Sequence, residues 1–150
     1  IIAGDIFTNI IGSLQLTIDD AWEAARRAGF EQDIKDMPMG MHTVLNEGAS
    51  TLSGGQRQRL MIARAIVHKP RIVYFDEATS ALDNETQAIV SKSLDNLKVT
   101  RVVIAHRLST IINADRIFVI DKGKLVQEGS YDELIKQEGL FAELAKRQIA

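Results

Sequence analysis

An α/β fold with a mostly parallel sheet is expected for this chain, and three features point to it. Residues Arg71–Phe75 carry a continuous apolar run, the pattern of a strand covered on both faces. Arg101–Ala105 is a second run of that kind, and the residues between them, from about Asn84 to Asn96 behind an Asp83 cap, suit a helix. The first third of the chain reads instead as helical. The expected organisation is therefore a helical part over residues 1–68 and an alternating strand–helix part over 69–150, both belonging to one domain.

Each element has a local signal. Thr17 is placed to cap a helix whose first turn carries Asp19 and Asp20, favourable to the positive end of the helix dipole. Ile18, Ala21, Trp22, Ala25 and Ala28 then make one apolar stripe, and Gly29 stops the helix. Trp22 is read as core. A loop through Met37, Pro38, Met39 and Gly40 leads to Thr43–Gly48. Ser53 and Gln56 have capping-box spacing and open a helix running to about His68, which Lys69-Pro70 closes. A short helix begins near Ser109. Arg116–Asp121 and Lys124–Glu128 are strands joined by a hairpin turn at Lys122-Gly123. Ser130 with Glu133 is a further capping box, and two short helices finish the chain around Gly139.

Composition narrows the function classes. The 150 residues suit one domain with a real core, and 45% hydrophobic with 25% charged residues is ordinary for a globular chain. With 18 basic and 20 acidic side chains the net charge is -2, so no basic surplus points to nucleic acid or an anionic membrane surface. The absence of cysteine excludes a disulfide scaffold and a cysteine-based zinc site. No apolar run approaches the ~20 residues of a membrane-spanning helix.

Two stretches carry chemistry. In Leu52-Ser53-Gly54-Gly55-Gln56, adjacent glycines let backbone approach a ligand closely, and the helix behind them offers unpaired N–H groups and a positive dipole end. The Ser53 hydroxyl adds a donor, so a phosphate group is the natural guest, although Ser and Gly also suit a plain helix start. In Ile72-Val73-Tyr74-Phe75-Asp76-Glu77, a buried strand delivers two carboxylates to its C-terminal end, where ligands of open α/β sheets bind. One carboxylate there can hold Mg²⁺ through water while its neighbour polarises an attacking water. An acidic pair capping the next helix is the plainer reading of the same residues. His106 follows the apolar run Val102–Ala105. His42 and His68 have no such setting and are read as surface or packing residues.

With their continuations, these stretches resemble the signature and Walker B motifs of ABC-type ATPases. Ser53–Gln56 runs on through Arg57-Gln58-Arg59-Leu60 and Ile62-Ala63-Arg64-Ala65, similar to the family's signature helix. Ala78-Thr79-Ser80-Ala81-Leu82-Asp83 resembles its D-loop, and Ile104–Thr110, with His106, its switch-histidine loop. Thr43–Ala49, with Glu47, resembles the segment by which ABC exporters sense their transmembrane partner, departing from it at Asn46, where exporters usually carry Gly. The resemblance extends from Gly4-Asp5-Ile6 to Gln148, and its details look most like bacterial peptide or bacteriocin exporters.

The resemblance implies a P-loop NTPase-like (RecA-like) fold with a helical signature subdomain, and an ATP hydrolase using ATP and Mg²⁺. It implies that Ser53, Gly54, Gly55 and Gln56 face the ATP of a second nucleotide-binding domain in a head-to-tail dimer. Asp76 would organise Mg²⁺, Glu77 would act as general base or water orienter, His106 would sense the γ-phosphate, and Asp83 would communicate across the dimer. Implied partners are that second domain and the transmembrane domains, at the cytoplasmic face of a bacterial inner membrane. No G-x-x-x-x-G-K-[ST] phosphate loop occurs, so the chain is expected to be the second part of such a domain, truncated before the Walker A strand. Alone it is expected to be inactive, and its Ile72–Phe75 strand to offer an exposed edge that invites self-association. Two other readings stay open on sequence: a soluble ABC-type ATPase of DNA repair, chromosome structure or translation, and a nucleotide-independent interaction module.

Overall fold

The computed structural model describes residues 1–76, 88–89, 92, 99–104 and 108–149. Two compact units divide the chain, Ile1–Val103 and Ile104–Ala150.

In the first unit, β1 (Gly4–Asp5) leads into α1 (Ile6–Ile11), followed by α2 (Ile18–Arg27) and α3 (Glu31–Asp36). A 3-10 turn at Gly40–His42, β2 (Val44–Leu45) and a second 3-10 turn at Glu47–Ala49 then lead to α4 (Gly54–Ile66). After it come β3 (Ile72–Asp76) and β4 (Thr100–Ile104), which pair with each other. β1 pairs antiparallel with β2, Gly4 opposite Leu45 and Asp5 opposite Val44, a contact across forty residues that no local pattern announces.

The core of this unit is built by the helices. Ile6, Ile10, Ala21, Ala25, Ala28, Phe30, Ile34 and Ala49 are wholly buried, with Leu60, Ile62, Ala63 and Ile66 of α4 against them. α2 is held at its start by a full capping box. The Thr17 hydroxyl oxygen accepts the Asp20 N–H at 3.2 Å, and the Asp20 carboxylate accepts the Thr17 N–H at 2.9 Å. Its stripe lies as expected at Ala21, Ala25 and Ala28, with Trp22 partly buried against the core, but Ala24 joins it and Ile18 does not. Ile18 is the first residue of the helix and projects past the packed face. α4 ends at Ile66, two residues short of the expected His68, which is exposed.

The strands correct one expectation. β3 is not covered on both faces: Val73 and Phe75 are buried, while Ile72 is 52% and Tyr74 74% exposed. On β4, Val102, Val103 and Ile104 are exposed as well. A strand is covered twice only where layers flank its sheet on both sides. In this chain the helical core covers one face of β3, the one carrying Val73 and Phe75. The expected helix over 84–96 lies mostly outside the described residues; 88, 89 and 92 within it are helical.

In the second unit, α5 (Leu108–Ile111) precedes an antiparallel hairpin of β5 (Ile117–Asp121) and β6 (Lys124–Gly129), then α6 (Tyr131–Leu134) and α7 (Leu140–Ile149). The two-residue turn is the expected Lys122-Gly123, with φ of 48° and 74°, the left-handed pair that a tight hairpin requires. Ile117, Val119, Leu134 and Phe141 form the core of this unit. The Ser130–Glu133 capping box forms, and Tyr131 meets Phe141 edge to face at 5.8 Å between ring centroids. Among the described residues, no helix is long and apolar enough to cross a membrane.

One side-chain contact ties the two ends of the β1–β2 segment. Asp5 caps α1, accepting the Thr8 N–H at 2.8 Å, and its other oxygen lies 3.0 Å from His42 Nδ1. His42, read from sequence as a surface or packing residue, is thus an exposed partner of that carboxylate. Partial burial works to raise the Asp5 carboxyl, but hydrogen bonds from Thr8 and from His42 outweigh it, and the group titrates below the ordinary carboxylate range. A carboxyl with a depressed folded value stabilises above its unfolded value, near pH ~4, and loses that contribution as pH falls through the folded value. Asp5→Asn keeps a capping oxygen but no charge. Its urea midpoint is expected to lie below wild type at pH 6, by up to about 1 kcal/mol in stability, and the gap is expected to narrow as pH falls below ~4. A constant offset between the two across pH 3–6 would show that the charge contributes nothing.

Candidate functional site

The expected phosphate-facing turn takes a definite form. Ser53 precedes α4 in extended backbone, φ −63° and ψ 164°. Its hydroxyl oxygen accepts the Gln56 N–H at 3.2 Å, and the Gln56 Oε1 accepts the Ser53 N–H at 3.0 Å. The reciprocal box locks the two polar side chains of the turn against their own backbone. The Ser53 O–H proton is left to point elsewhere, because the oxygen is used as an acceptor. As the first two residues of the helix, Gly54 and Gly55 have N–H groups with no intrahelical acceptor.

Space at this turn is open. Ser53 and Gly54 are exposed, and a Cβ built on Gly54 would meet nothing within 4 Å. Leu52, immediately before, is buried and anchors the loop to the helical core. One hydroxyl, two amide N–H groups and the positive end of a 13-residue helix thus converge where an anion can reach them, and an anionic phosphate fits this donor set.

The turn is braced from the side by residues that sequence reading passed over. Asp33 on α3 accepts from Gln56 Nε2 at 3.0 Å and forms an ion pair with Arg59 Nη2 at 2.9 Å. The Arg59 side chain is 12% exposed, and its Nε is buried without a hydrogen-bond partner. No local spacing signals this contact, since Asp33 stands 23 and 26 residues from the groups it binds.

Of the other expected residues, Asp76 ends β3 and is exposed, held there by buried Val73 and Phe75 on the same strand. Among the described residues no cluster of three or more His, Asp or Glu side chains is arranged to hold a metal ion. A carboxylate at a strand end fits Mg²⁺, which keeps several waters and is bound through one or two carboxylates plus substrate phosphates. Among the described residues, no hydrogen bond or ion pair joins Asp76 to the Ser53–Gln56 turn. Glu77, Asp83 and His106 lie outside the described residues. Glu47 is exposed on the 3-10 turn that precedes the site. Asn46 has φ −79° and ψ 169°, backbone that any residue adopts, and its side chain bonds Ser50 at 3.0 Å. The departure from Gly at that position therefore costs nothing in conformation. The left-handed residues are instead Gly48 and Ala49, with φ of 76° and 47°.

Comparison with known proteins gives the same reading. Residues 5–80, half of the chain, match the family described as ABC transporter. ABC transporter B family member 2 of Dictyostelium discoideum is 45% identical over 98% of this chain and 11% of its own length. The ATP-dependent lipid A-core flippase of Francisella novicida is 44% identical over 91% of this chain and 24% of its own. The chain thus spans about a tenth to a quarter of the curated relatives it matches. Among solved structures, a bacterial Atm1-family ABC exporter with ATP bound superposes with a TM-score of 0.96 at 37% identity, covering 100% of this chain and 27% of that one. The expected P-loop NTPase-like fold of an ABC nucleotide-binding domain is the fold found. With the family model matching half of the chain and a solved exporter superposing along all of it, the chain belongs to the ABC transporter family.

Proposed function

We propose that this chain is the signature-bearing part of the ATP-binding domain of an ABC exporter, which in the full-length protein couples ATP binding and hydrolysis to movement of a substrate across a membrane. The observation that carries the reading is the Ser53–Gln56 capping box opening α4 onto free space, with donors directed at an approaching anion. The likeness to an exporter with ATP bound supports it.

In this reading residues 1–68 are the helical signature subdomain and 69–150 contribute to the RecA-like core. Ser53, Gly54, Gly55 and Gln56 bind the phosphates of an ATP held by a second nucleotide-binding domain. Through water, Asp76 would hold Mg²⁺, which would supply positive charge against the phosphates. Glu77 takes the proton of the attacking water, His106 contacts the γ-phosphate, and Asp83 links the two halves of the dimer. The reaction then depends on positioning and electrostatics, as phosphoryl transfer generally does. The domain works at the cytoplasmic face of a membrane against its transmembrane partner, with Glu47 facing that partner. A peptide cargo draws no support from the relatives, one of which is named for lipid A-core, so the proposal assigns this chain the ATP-driven step and no cargo class.

The test uses Gly54→Asp in the full-length protein. A carboxylate in the first turn of a helix is favourable to its dipole, and the site has room for the side chain, so the fold is expected to keep its stability. Facing a phosphate, the same carboxylate repels: two unit charges ~4 Å apart interact by about 1 kcal/mol in water and about 4 kcal/mol near a protein surface. ATP turnover is expected to fall roughly tenfold or more at an unchanged thermal midpoint. Wild-type turnover in this variant would remove the turn from the nucleotide site.

A further inference from the structure

Among the described residues, Gln56 is the only side chain of the turn that reaches both its backbone and a distant element. Its carboxamide has two ends, an oxygen that accepts and an NH₂ that donates. In principle the group can sit either way round, and the reversed orientation would aim donors at the Ser53 N–H and leave the capping box unmade. Asp33 removes that choice. An ionised carboxylate only accepts, so the NH₂ of Gln56 must face it, 3.0 Å away, and the oxygen is then directed at the Ser53 N–H, 3.0 Å away on the other side. The Ser53 hydroxyl oxygen closes the box on the Gln56 N–H, with its own proton turned outward.

A bare carboxylate beside a phosphate-facing turn would work against binding. Arg59 answers this, pairing with Asp33 at 2.9 Å from a largely buried position on the same helix as Gln56. Its Nε is buried without a hydrogen-bond partner, so loss of the Asp33 contact would leave a buried charge still less compensated. Asp33 itself is fixed by its neighbours, Phe30 before it and Ile34 after it, both wholly buried.

We propose that Asp33 is a positioning residue for the nucleotide site. It sets the orientation of the Gln56 carboxamide and through it the donor array of Ser53–Gly55, while Arg59 neutralises its charge. The inference rests on the reading above, in which that array faces a nucleotide.

The test is a double-mutant cycle on ATP hydrolysis by the full-length protein. Asp33→Asn removes the charge that discriminates between the two ends of Gln56, since an amide can bond either. It is expected to lower kcat/KM roughly threefold to a hundredfold, the range in which contacting residues act on one another. In the Gln56→Ala background the same change is expected to have no further effect. A reduction by the same factor in both backgrounds would mean that Asp33 only supports the fold, and would overturn the proposal while leaving the site in place. Wild-type turnover in both Ser53→Ala and Gln56→Ala would instead remove the site, and the proposal with it. Should Asp33→Asn leave Arg59 unpaired and the protein unfolded, Asp33→Leu combined with Arg59→Met removes both charges together. That pair is expected to fold with a thermal midpoint near wild type and still lose turnover through Gln56. Wild-type turnover in the folded pair overturns the proposal.

Discussion

Glu77→Gln in the full-length protein is expected to reduce ATP turnover by roughly 10²–10⁴-fold, the usual contribution of a positioned acid–base group, while nucleotide binding is kept. Glutamine matches glutamate in size but cannot take a proton from the attacking water. Binding is spared because the groups assigned to the phosphates lie elsewhere, on the α4 turn and at Asp76. Asp76, the residue before it in sequence, stands at the exposed end of β3, with Phe75 and Val73 anchoring the strand in the core. The measurement is steady-state hydrolysis beside equilibrium nucleotide binding, in membranes or detergent. Loss of both together would make Glu77 a structural residue, and equal turnover in both proteins would move the chemical step away from it.

What could be read from sequence divides by range. The two expected capping boxes, Ser53 with Gln56 and Ser130 with Glu133, formed as their spacing implied, because the partners are three residues apart and the geometry is that of one turn; Thr17, expected as a simple cap, closes a third box with Asp20. The Lys122-Gly123 hairpin is equally local. Contacts across the chain left no such trace. The β1–β2 pairing, the Asp5–His42 pair and the Asp33 brace each join residues 23 to 41 positions apart, and none is a motif. Burial of β3 failed for a different reason. An apolar run tells of faces that can be covered, and which face is covered depends on what packs against it; Ile72 and Tyr74 remain in solvent here. The Ser53–Gln56 turn itself was legible in its polar residues and its glycines. What steadies it was not, because a carboxylate on α3 is indistinguishable in sequence from any solvated helix charge. Sequence resemblance identified the family, as the match over residues 5–80 bears out. A peptide cargo draws no support from the same comparison, in which relatives of differing names match this one stretch.

Phe30→Ala is expected to give the largest stability loss available in the first unit, about 3–5 kcal/mol. That is a large fraction of the roughly 5–15 kcal/mol that stabilises a domain. Phe30 is wholly buried at the junction of α2 and α3, and its N–H bonds the Ala25 carbonyl at 2.8 Å. Its ring packs into the cluster that contains Ala25, Ala28 and Leu60, so truncation leaves a void among three helices. Phe118 is the control: an aromatic of the same size on β5, 58% exposed, whose truncation is expected to change stability by no more than about 0.5 kcal/mol. Urea denaturation of both variants checks the contrast, and equal midpoints would mean that the helical core is not assembled around Phe30. The consequence extends to chemistry. Phe30 and Ile34 hold α3 in place on either side of Asp33, and Asp33 holds Gln56. A shift of α3 into the void moves the carboxylate away from the Gln56 amide before the domain unfolds. Turnover in the full-length protein should therefore fall in Phe30→Ala at denaturant concentrations where the domain is still folded, whereas Phe118→Ala should keep its turnover up to the unfolding transition.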